Sequence, residues 1–293
     1  RDANGKLVAH VRRELGGLSA PRAYEAESMQ WAARVLLDRA ALAKAGARVA
    51  RSAREVADQA TAVFVSLPAP AILREVSLGA NSIAMGKKAK IVVDLSTTGS
   101  AIEKEVAAGL AKKRITLIDA PVSGGPMGAR DGTLSIMAGA APAVFARVKP
   151  LFECMGKTIL HMGDHGAGQV TKACNQLVLT VTLEGVAEAM NLASRCGVDP
   201  VKVREAMMGG FAASRVIELF GKRMVERNFE NGVDARFYHK DLNIVLGLTH
   251  ELGLPSPAAA VTLQQINALV GSGGARSDFS RMIEVLERAG NAK

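Results

Sequence analysis

Cysteine is scarce in this 293-residue sequence, and aromatic residues make up only 4% of it, too few for an extended stacking surface. The three cysteines, Cys154, Cys174 and Cys196, show no C-x-x-C spacing, and the five histidines show no ligand spacing. Neither a disulfide framework nor a metal site is indicated, so we predict no bound metal and a reducing compartment. For Cys174, which falls within a helical pattern, we predict a packing role in the core.

The sequence also lacks a long uninterrupted apolar run and the basic, apolar and small-residue pattern of a secretory signal. Its most apolar stretch follows Lys172 and contains Asn175, Gln176 and Glu184. Polar residues at these positions are typical of a core helix rather than of a membrane span. We therefore predict no membrane association and a cytoplasmic location.

Positive charge is in excess, but it is unevenly distributed. The formal net charge is +9, and residues 1–54 carry 11 basic and 5 acidic side chains, a surplus of 6. That segment contains two aromatic residues, Tyr24 and Trp31, which are too few for base stacking along a nucleic acid. We interpret the surplus as a basic surface and predict no nucleic-acid partner.

Strand-like and helix-like segments alternate between residues 62 and 162. This alternation predicts a Rossmann-like α/β domain with a doubly wound parallel sheet over residues 1–165. From residue 168 onward only helical patterns occur, which predicts an all-helical domain over residues 166–293. The predicted strands are AVFVSL (62–67), KIVVDLS (90–96), ITLIDAPV (115–122) and TILHM (158–162).

The first forty residues lack the signature of a dinucleotide-binding domain, which is a strand, a GxGxxG turn and an acidic residue about 20 positions later. Gly16 and Gly17 are followed by Leu-Ser-Ala-Pro. Asp38 is either a ribose ligand at the end of a strand or a solvated helical residue, and the flanking sequence favours the helix. In dinucleotide-binding domains, the residues that distinguish NAD from NADP fall in this stretch.

A later segment, GAGQVT (166–171), imitates GxGxxG because it follows a strand-like run and opens a helix. The acids downstream of it, Glu184 and Glu188, belong to the same helix and are not carried by a second strand. We therefore do not interpret this segment as a dinucleotide fingerprint.

Two other features point to a binding site. The segment DAPVSGG (119–125) is predicted to end a buried strand in a glycine-rich loop, and ligands of open α/β sheets bind at such strand ends. Backbone N–H groups of Gly124 and Gly125, with the Ser123 hydroxyl, are suited to hold a carboxylate. The alternative is a tight turn that merely requires glycine.

The second feature is Lys172, which lies in the first turns of the apolar helix. Burial and the positive end of the helix dipole both disfavour its charge, so we expect its pKa to be lowered. Asn175 and Gln176 follow at positions that share its helix face. A lysine of this kind is a candidate general acid for a carbonyl group. The alternative is a structural lysine whose charge reaches solvent at the helix end.

Three segments together, DAPVSGGPMGARDGTLSIMAGA (119–140), GAGQVTKACNQ (166–176) and HKDLN (239–243), resemble the β-hydroxyacid dehydrogenases in order and spacing. The resemblance extends from about residue 45 to the C-terminus. It implies that Lys172 is the catalytic acid/base with Asn175 as its orienting partner. It also implies that the substrate carboxylate is held by Ser123, Gly124 and Gly125.

The same resemblance implies NAD or NADP as cofactor, lined by Leu67, Pro68 and Thr97, with Lys240 closing over cofactor and substrate. It also implies a small carboxylate substrate, a C-terminal domain like that of 6-phosphogluconate dehydrogenase, and a homodimer or homotetramer. The expected reaction is the interconversion of a short β-hydroxyacid and its semialdehyde.

Within this family, MGGFAASRVIE (208–218) resembles the tartronate semialdehyde reductases, also called 2-hydroxy-3-oxopropionate reductases. This predicts glycerate as the product. The alternatives are a 3-hydroxyisobutyrate dehydrogenase, differing in pocket shape around Val122, Phe211 and Phe237, and a non-catalytic member that has lost cofactor binding. Imine reduction is disfavoured because relatives with that activity usually lack the lysine. An acid-x-serine segment, DFS (278–280), matches a similar segment near the site of many relatives, but we assign it no role.

Overall fold

The computed structural model describes residues 50–230 and 232–290. The predictions made for the first forty residues, including the missing GxGxxG turn and the helical Asp38, lie outside the described residues. Contacts divide the chain into two compact units, Arg1–Lys172 and Ala173–Lys293.

Within residues 50–172, the first unit forms a mixed six-stranded sheet with helices between its strands. Its strands are β1 (Ala62–Val65), β2 (Ile91–Asp94), β3 (Thr116–Asp119), β4 (Val122–Ser123), β5 (Leu134–Gly139) and β6 (Gly156–Gly163). Its helices are α1 (Ala53–Gln59), α2 (Pro70–Leu78), a 3₁₀ turn (Ile83–Met85), α3 (Ser100–Ala111), α4 (Gly125–Asp131) and α5 (Pro142–Phe152).

Strands β1, β2 and β3 are parallel and end at the same level of the sheet, because Val65 pairs with Asp94 and Asp94 with Asp119. The apolar residues of β2 and β3 are buried, as expected for parallel strands covered on both faces. This arrangement confirms the Rossmann-like α/β fold. It also brings the loops that follow these three strands to one edge of the sheet.

The sheet is parallel in most of its pairs but departs from the predicted parallel pairing in one region. Strand β5, which the sequence analysis missed, runs antiparallel to both β3 and β4 and parallel to β6. The predicted strand 115–122 is also interrupted after Asp119. Pro121 has no N–H group to donate to a strand ladder, so the chain leaves β3 there and pairs with β5 as the separate short strand β4.

The second unit is helical, as predicted. Helix α6 (Ala167–Arg195) begins in the first unit and continues into the second. It is followed by α7 (Pro200–Met208), a π-helical turn (Ile217–Gly221), α8 (Lys222–Glu226), α9 (Ala235–Glu251), α10 (Pro257–Gly271), 3₁₀ turns at Gly274–Arg276 and Phe279–Arg281, and α11 (Met282–Ala289). The Ser214 hydroxyl accepts a hydrogen bond from the Ile217 N–H at 3.2 Å and so caps the helical segment that follows it.

The acid-x-serine segment at residues 278–280 has a structural role in this unit. The Asp278 side chain is buried, accepts a hydrogen bond from Arg223 Nη1 at 2.8 Å and caps a 3₁₀ turn by accepting from the Ser280 N–H at 2.8 Å. The neighbouring Phe279 ring stacks on Tyr238 with centroids 4.2 Å apart. The burial and charge of this segment are therefore explained by the core of the second unit.

Helix α6 is less buried than its sequence suggested. One face packs in protein, but Val170, Cys174, Val178 and Leu192 are exposed on the other. The first three are spaced four residues apart, so they lie along one line of the helix surface. The packing role predicted for Cys174 is therefore wrong. By length and composition α6 is also the one helix among the described residues that would be long and apolar enough to cross a membrane.

Candidate active site

Asp119 joins the end of β3 to the start of α6. Its fully buried carboxylate accepts hydrogen bonds from the Gly166 N–H at 2.7 Å and from the Gln169 N–H at 2.9 Å. A carboxylate is favourable at this position because the unpaired N–H groups of a helix start carry partial positive charge. His165 Nδ1 lies 3.3 Å from the same carboxylate. Burial alone would lower the pKa of His165, but the hydrogen bond and charge of Asp119 raise it overall.

Two glycines make room for this carboxylate. A Cβ atom on Gly139 would lie 2.5 Å from Asp119 Oδ1. A Cβ atom on Gly168 would lie 2.8 Å from the Asp119 carbonyl oxygen and would overlap the carbonyl oxygen of Met137. The second glycine of the GAG segment is thus required for close packing of α6 on the sheet. This requirement explains why the segment imitates a GxGxxG turn without serving as one.

The Gln169 side chain fastens the loop after β2 to the first turn of α6. Its Oε1 accepts hydrogen bonds from the N–H groups of Thr98 and Gly99, both at 3.1 Å. Its Nε2 donates to the Ser96 carbonyl oxygen at 2.9 Å and to Glu103 Oε1 at 3.2 Å. All four hydrogen-bonding positions of the amide are therefore used. The loop that carries Thr97 is held by a residue that precedes Lys172 by three positions.

Glu103 is a neutral member of this network. Burial of its side chain, together with the nearby negative charge of Asp94, raises its pKa to about 11. Its Oε1 accepts hydrogen bonds from Gln169 Nε2 and from the Thr98 hydroxyl at 3.1 Å. At neutral pH the folded protein thus keeps a proton on Glu103 that the unfolded chain, with a pKa of 4.5 at this side chain, releases.

The proton on Glu103 predicts a pH-dependent effect of Glu103→Gln. Because the folded-state pKa is raised, wild-type stability falls as pH rises above about 4.5, and the neutral amide does not have this penalty. The stability of the variant relative to wild type should therefore increase between pH 5.5 and 8.5, by up to about 4 kcal/mol for one proton over three pH units. Urea unfolding of both proteins at these two pH values measures the difference. A relative stability that stays constant or falls with pH would contradict a protonated Glu103.

The predicted cofactor residues lie at the edge of the sheet where the carboxyl ends of β1, β2 and β3 meet. Leu67 and Pro68 follow β1, and Thr97 follows β2. The Leu67 N–H donates a hydrogen bond to the Ser96 hydroxyl at 2.7 Å, which joins these two loops. The structure therefore brings Leu67 and Thr97 into neighbouring loops. The loop that carries Thr97 is held by Asp94, which accepts a hydrogen bond from the Ser96 N–H, and by Gln169, which donates one to the Ser96 carbonyl oxygen.

The predicted carboxylate-binding residues stand where β4 passes into α4. Ser123 ends β4, and Gly124 and Gly125 are exposed, with φ angles of +128° and +62°. Positive φ values at both positions explain why the sequence has two consecutive glycines here. The alternative, a turn that merely requires glycine, and the binding role are thus both compatible with the backbone. Lys172, in the same unit, is 7% exposed, which confirms its predicted burial.

The remaining predicted site residues, Asn175 and Lys240, belong to the second unit. Asn175 Nδ2 donates a hydrogen bond to Gln176 Oε1 at 2.8 Å. Lys240 Nζ forms an ion pair with Asp241 Oδ1 at 2.9 Å. Asn175 follows Lys172 by three residues in the uninterrupted helix α6, so helix geometry places the two on one face.

Other residues predicted to shape the pocket have varied environments. Val122 is partly buried in β4, and the Phe237 ring lies under the Arg236 guanidinium, with the carbon of that group 4.9 Å from the ring centroid. Phe211 is fully exposed in the second unit. Within residues 50–230 and 232–290, no three histidine, cysteine or carboxylate side chains are grouped so that they could hold a metal ion.

Sequence reasoning missed Asp94, Asp119, Glu103 and Gln169. The two aspartates carried a usable signal, because each directly follows the apolar run inside a segment predicted as a parallel strand, Asp94 in KIVVDLS and Asp119 in ITLIDAPV. Glu103 and Gln169 carried none, since a glutamate and a glutamine near helix starts are ordinary surface residues in most sequences. Only the folded structure shows that both are buried.

Two family profiles match the chain. The profile described as the NAD binding domain of 6-phosphogluconate dehydrogenase matches residues 28–163. The profile described as the NAD-binding region of NADP-dependent 3-hydroxyisobutyrate dehydrogenase matches residues 166–286. The first match begins at residue 28, so the likeness reaches further toward the N-terminus than the expected start near residue 45.

Curated relatives decide the family. The 2-hydroxy-3-oxopropionate reductase of Escherichia coli (strain K12) is 40% identical over 249 residues, which are 85% of this chain and 85% of the relative. The chain belongs to the β-hydroxyacid dehydrogenase family. The 3-hydroxyisobutyrate dehydrogenase of Pseudomonas aeruginosa is 34% identical over 228 residues, covering 75% of this chain and 76% of the relative.

A solved structure agrees with this assignment. The crystal structure of 3-hydroxyisobutyrate dehydrogenase from Salmonella typhimurium matches with a TM-score of 0.80 and 27% identity, and the match covers 97% of this chain and 96% of that one. The predictions of the family, the fold class, an NAD(P)-dependent oxidoreductase and its cofactor class are therefore confirmed. The roles assigned to individual residues stay predictions.

Proposed function

We propose that this β-hydroxyacid dehydrogenase is a 2-hydroxy-3-oxopropionate reductase, which converts tartronate semialdehyde and NADH or NADPH into glycerate and the oxidised cofactor. The 40% identity with the Escherichia coli reductase supports this substrate over other members of the family. The observation that supports the chemistry is the burial of Lys172 in the first turns of α6. Hydrogen bonds of Gln169 to Asp119 and to Ser96 hold the start of this helix at the carboxyl ends of β3 and β2.

The described residues fit a nicotinamide cofactor. Parallel strands that end at one level form the edge where α/β folds bind ligands, and Leu67, Pro68 and Thr97 lie in the loops at that edge. We assign these three residues to the nicotinamide side of the cofactor. Gln169 and the Ser96 hydroxyl hold the two loops in place through the contacts described above. When bound, the cofactor supplies the hydride.

The substrate carboxylate is assigned to Ser123, Gly124 and Gly125. The exposed glycine backbone provides close approach, and the serine hydroxyl provides an added hydrogen-bond donor. A carboxylate fixed here leaves the aldehyde carbon of the substrate two bonds from the carboxylate carbon, so the position of the aldehyde relative to the cofactor is restricted. Because the substrate loses its translational and rotational freedom when it binds, this entropy loss no longer adds to the barrier of the reaction step.

Lys172 is assigned as the general acid. In the reducing direction its ammonium donates a proton to the carbonyl oxygen as the carbonyl carbon accepts a hydride, and in reverse its neutral amine accepts the hydroxyl proton. Asn175 is assigned to orient the ammonium, and Lys240 to close over cofactor and substrate. We further propose that the protein is a homodimer or homotetramer in the cytoplasm. Its partner is a small carboxylate substrate, and it binds neither nucleic acid nor a membrane.

Cofactor binding and substrate preference test this proposal. Fluorescence titration with NADH and with NADPH should give micromolar binding of at least one of them. Steady-state assays should then give a kcat/KM for tartronate semialdehyde at least tenfold above the value for 3-hydroxyisobutyrate oxidation. The opposite preference would assign the chain to the 3-hydroxyisobutyrate dehydrogenases. Binding of neither cofactor would favour the non-catalytic alternative.

A further inference from the structure

A chain of polar side chains in the second unit connects the two predicted site residues Asn175 and Lys240. Asn175 Nδ2 donates to Gln176 Oε1 at 2.8 Å, and Gln176 Nε2 donates to Asp241 Oδ2 at 2.5 Å. The other carboxylate oxygen of Asp241 lies 2.9 Å from Lys240 Nζ. Gln176 and Asp241 are only 4% and 7% exposed, so water competes little for these hydrogen bonds.

The chemistry of these groups fixes the direction of every hydrogen bond in the chain. An ionised carboxylate, here paired with the Lys240 ammonium, only accepts, so Gln176 must turn its amide nitrogen toward Asp241. Its Oε1 is then the atom that faces Asn175, and Asn175 must donate with its own amide nitrogen. The Asn175 carbonyl oxygen is consequently turned away from Gln176. It is the atom that an ammonium donor requires.

We propose that Gln176 is a positioning residue that sets the amide orientation of Asn175 so that its Oδ1 accepts a hydrogen bond from the Lys172 ammonium. This inference rests on the proposed function, in which Asn175 orients Lys172. In the opposite orientation the Asn175 amide would present its N–H groups to a cation and would disfavour the charged lysine. In this proposal the Asp241 charge acts on Lys172 through two amides.

The test measures the charge of Lys172 directly. The purified full-length protein is labelled with trace acetic anhydride over a range of pH values, and peptide mass spectrometry gives the pH midpoint of labelling at Lys172. In Gln176→Leu the midpoint should fall by about one pH unit, since a hydrogen bond to a charged group is lost. Asp241→Asn, which nearly preserves shape, should shift it in the same direction, because a neutral amide at 241 no longer dictates the direction of the chain.

Activity provides a second readout with a distinct signature. For Gln176→Leu we expect kcat to fall about 10- to 100-fold, comparable to the loss of an orienting partner at other sites, while the Kd for NAD(P)H stays within about twofold. The matched control is Gln264→Leu, the same substitution at an exposed position of α10, which should change neither the midpoint nor kcat.

Asn175→Leu separates the two ways in which the inference can fail. A midpoint that shifts in Asn175→Leu but not in Gln176→Leu or Asp241→Asn would overturn the role of Gln176 and leave the proposed function standing. A midpoint unchanged in all three variants would overturn the pairing of Asn175 with Lys172, and the inference with it. Thermal unfolding of each variant identifies any that fails to fold, and Asp241→Asn is the variant expected to retain the fold best.

Discussion

Lys172→Ala is expected to lower kcat by about 10²- to 10⁴-fold, the usual contribution of a general acid, while the protein still folds and binds NAD(P)H. The alanine removes the proton donor from the first turns of α6 but none of the hydrogen bonds of Gln169 or Asp119 that hold this helix start on the sheet. Stopped-flow single-turnover measurements with saturating cofactor would isolate the loss to the chemical step.

Two comparisons make this result specific. Lys157→Ala, at an exposed lysine in β6, is the matched control and should leave kcat within about twofold. Added methylamine should restore part of the activity of Lys172→Ala, because a small amine can supply the missing proton from the space that the side chain occupied. A kcat within tenfold of wild type, or equal losses for both lysines, would exclude Lys172 as the acid.

The parts of the site that followed from sequence are those with a local signal. The burial of Lys172 was predictable because the helix around it is apolar on nearly all sides. The binding edge was predictable because the ends of the strands and the glycine pair are evident in the sequence. The parallel strands β1 to β3 were predictable for the same reason. In each of these cases the neighbouring residues in sequence already determine the environment.

What could not be predicted depends on distant contacts. Glu103 and Gln169 are separated by 66 residues, and neither has a sequence context that marks it as buried. Strand β5 was missed because its pattern, LSIMAG, is short and ends in small residues. The exposed line on α6 through Cys174 depends on which face meets the core, which an apolar pattern all round the helix does not specify.

The packing of α6 on the sheet leads to the second large effect. Gly168→Ala is expected to destabilise the protein by about 3 kcal/mol or more, because the new methyl group would overlap the Met137 carbonyl oxygen and approach the Asp119 carbonyl oxygen within 2.8 Å. Both atoms belong to the backbone of the sheet, so neither can turn aside as a flexible side chain would. Urea unfolding at constant pH measures the change.

The same helix contains its own control. Gly185 is exposed, and a Cβ atom added there would meet nothing within 4 Å. Gly185→Ala should therefore stabilise the protein by about 0.5–1 kcal/mol, since alanine is the better helix former. The same glycine-to-alanine substitution is thus expected to change the free energy of unfolding in opposite directions at two positions of one helix. If Gly168→Ala were neutral or stabilising, α6 would not be held against β3 and β5 as described, and the link between Asp119, Gln169 and the position of Lys172 would be lost.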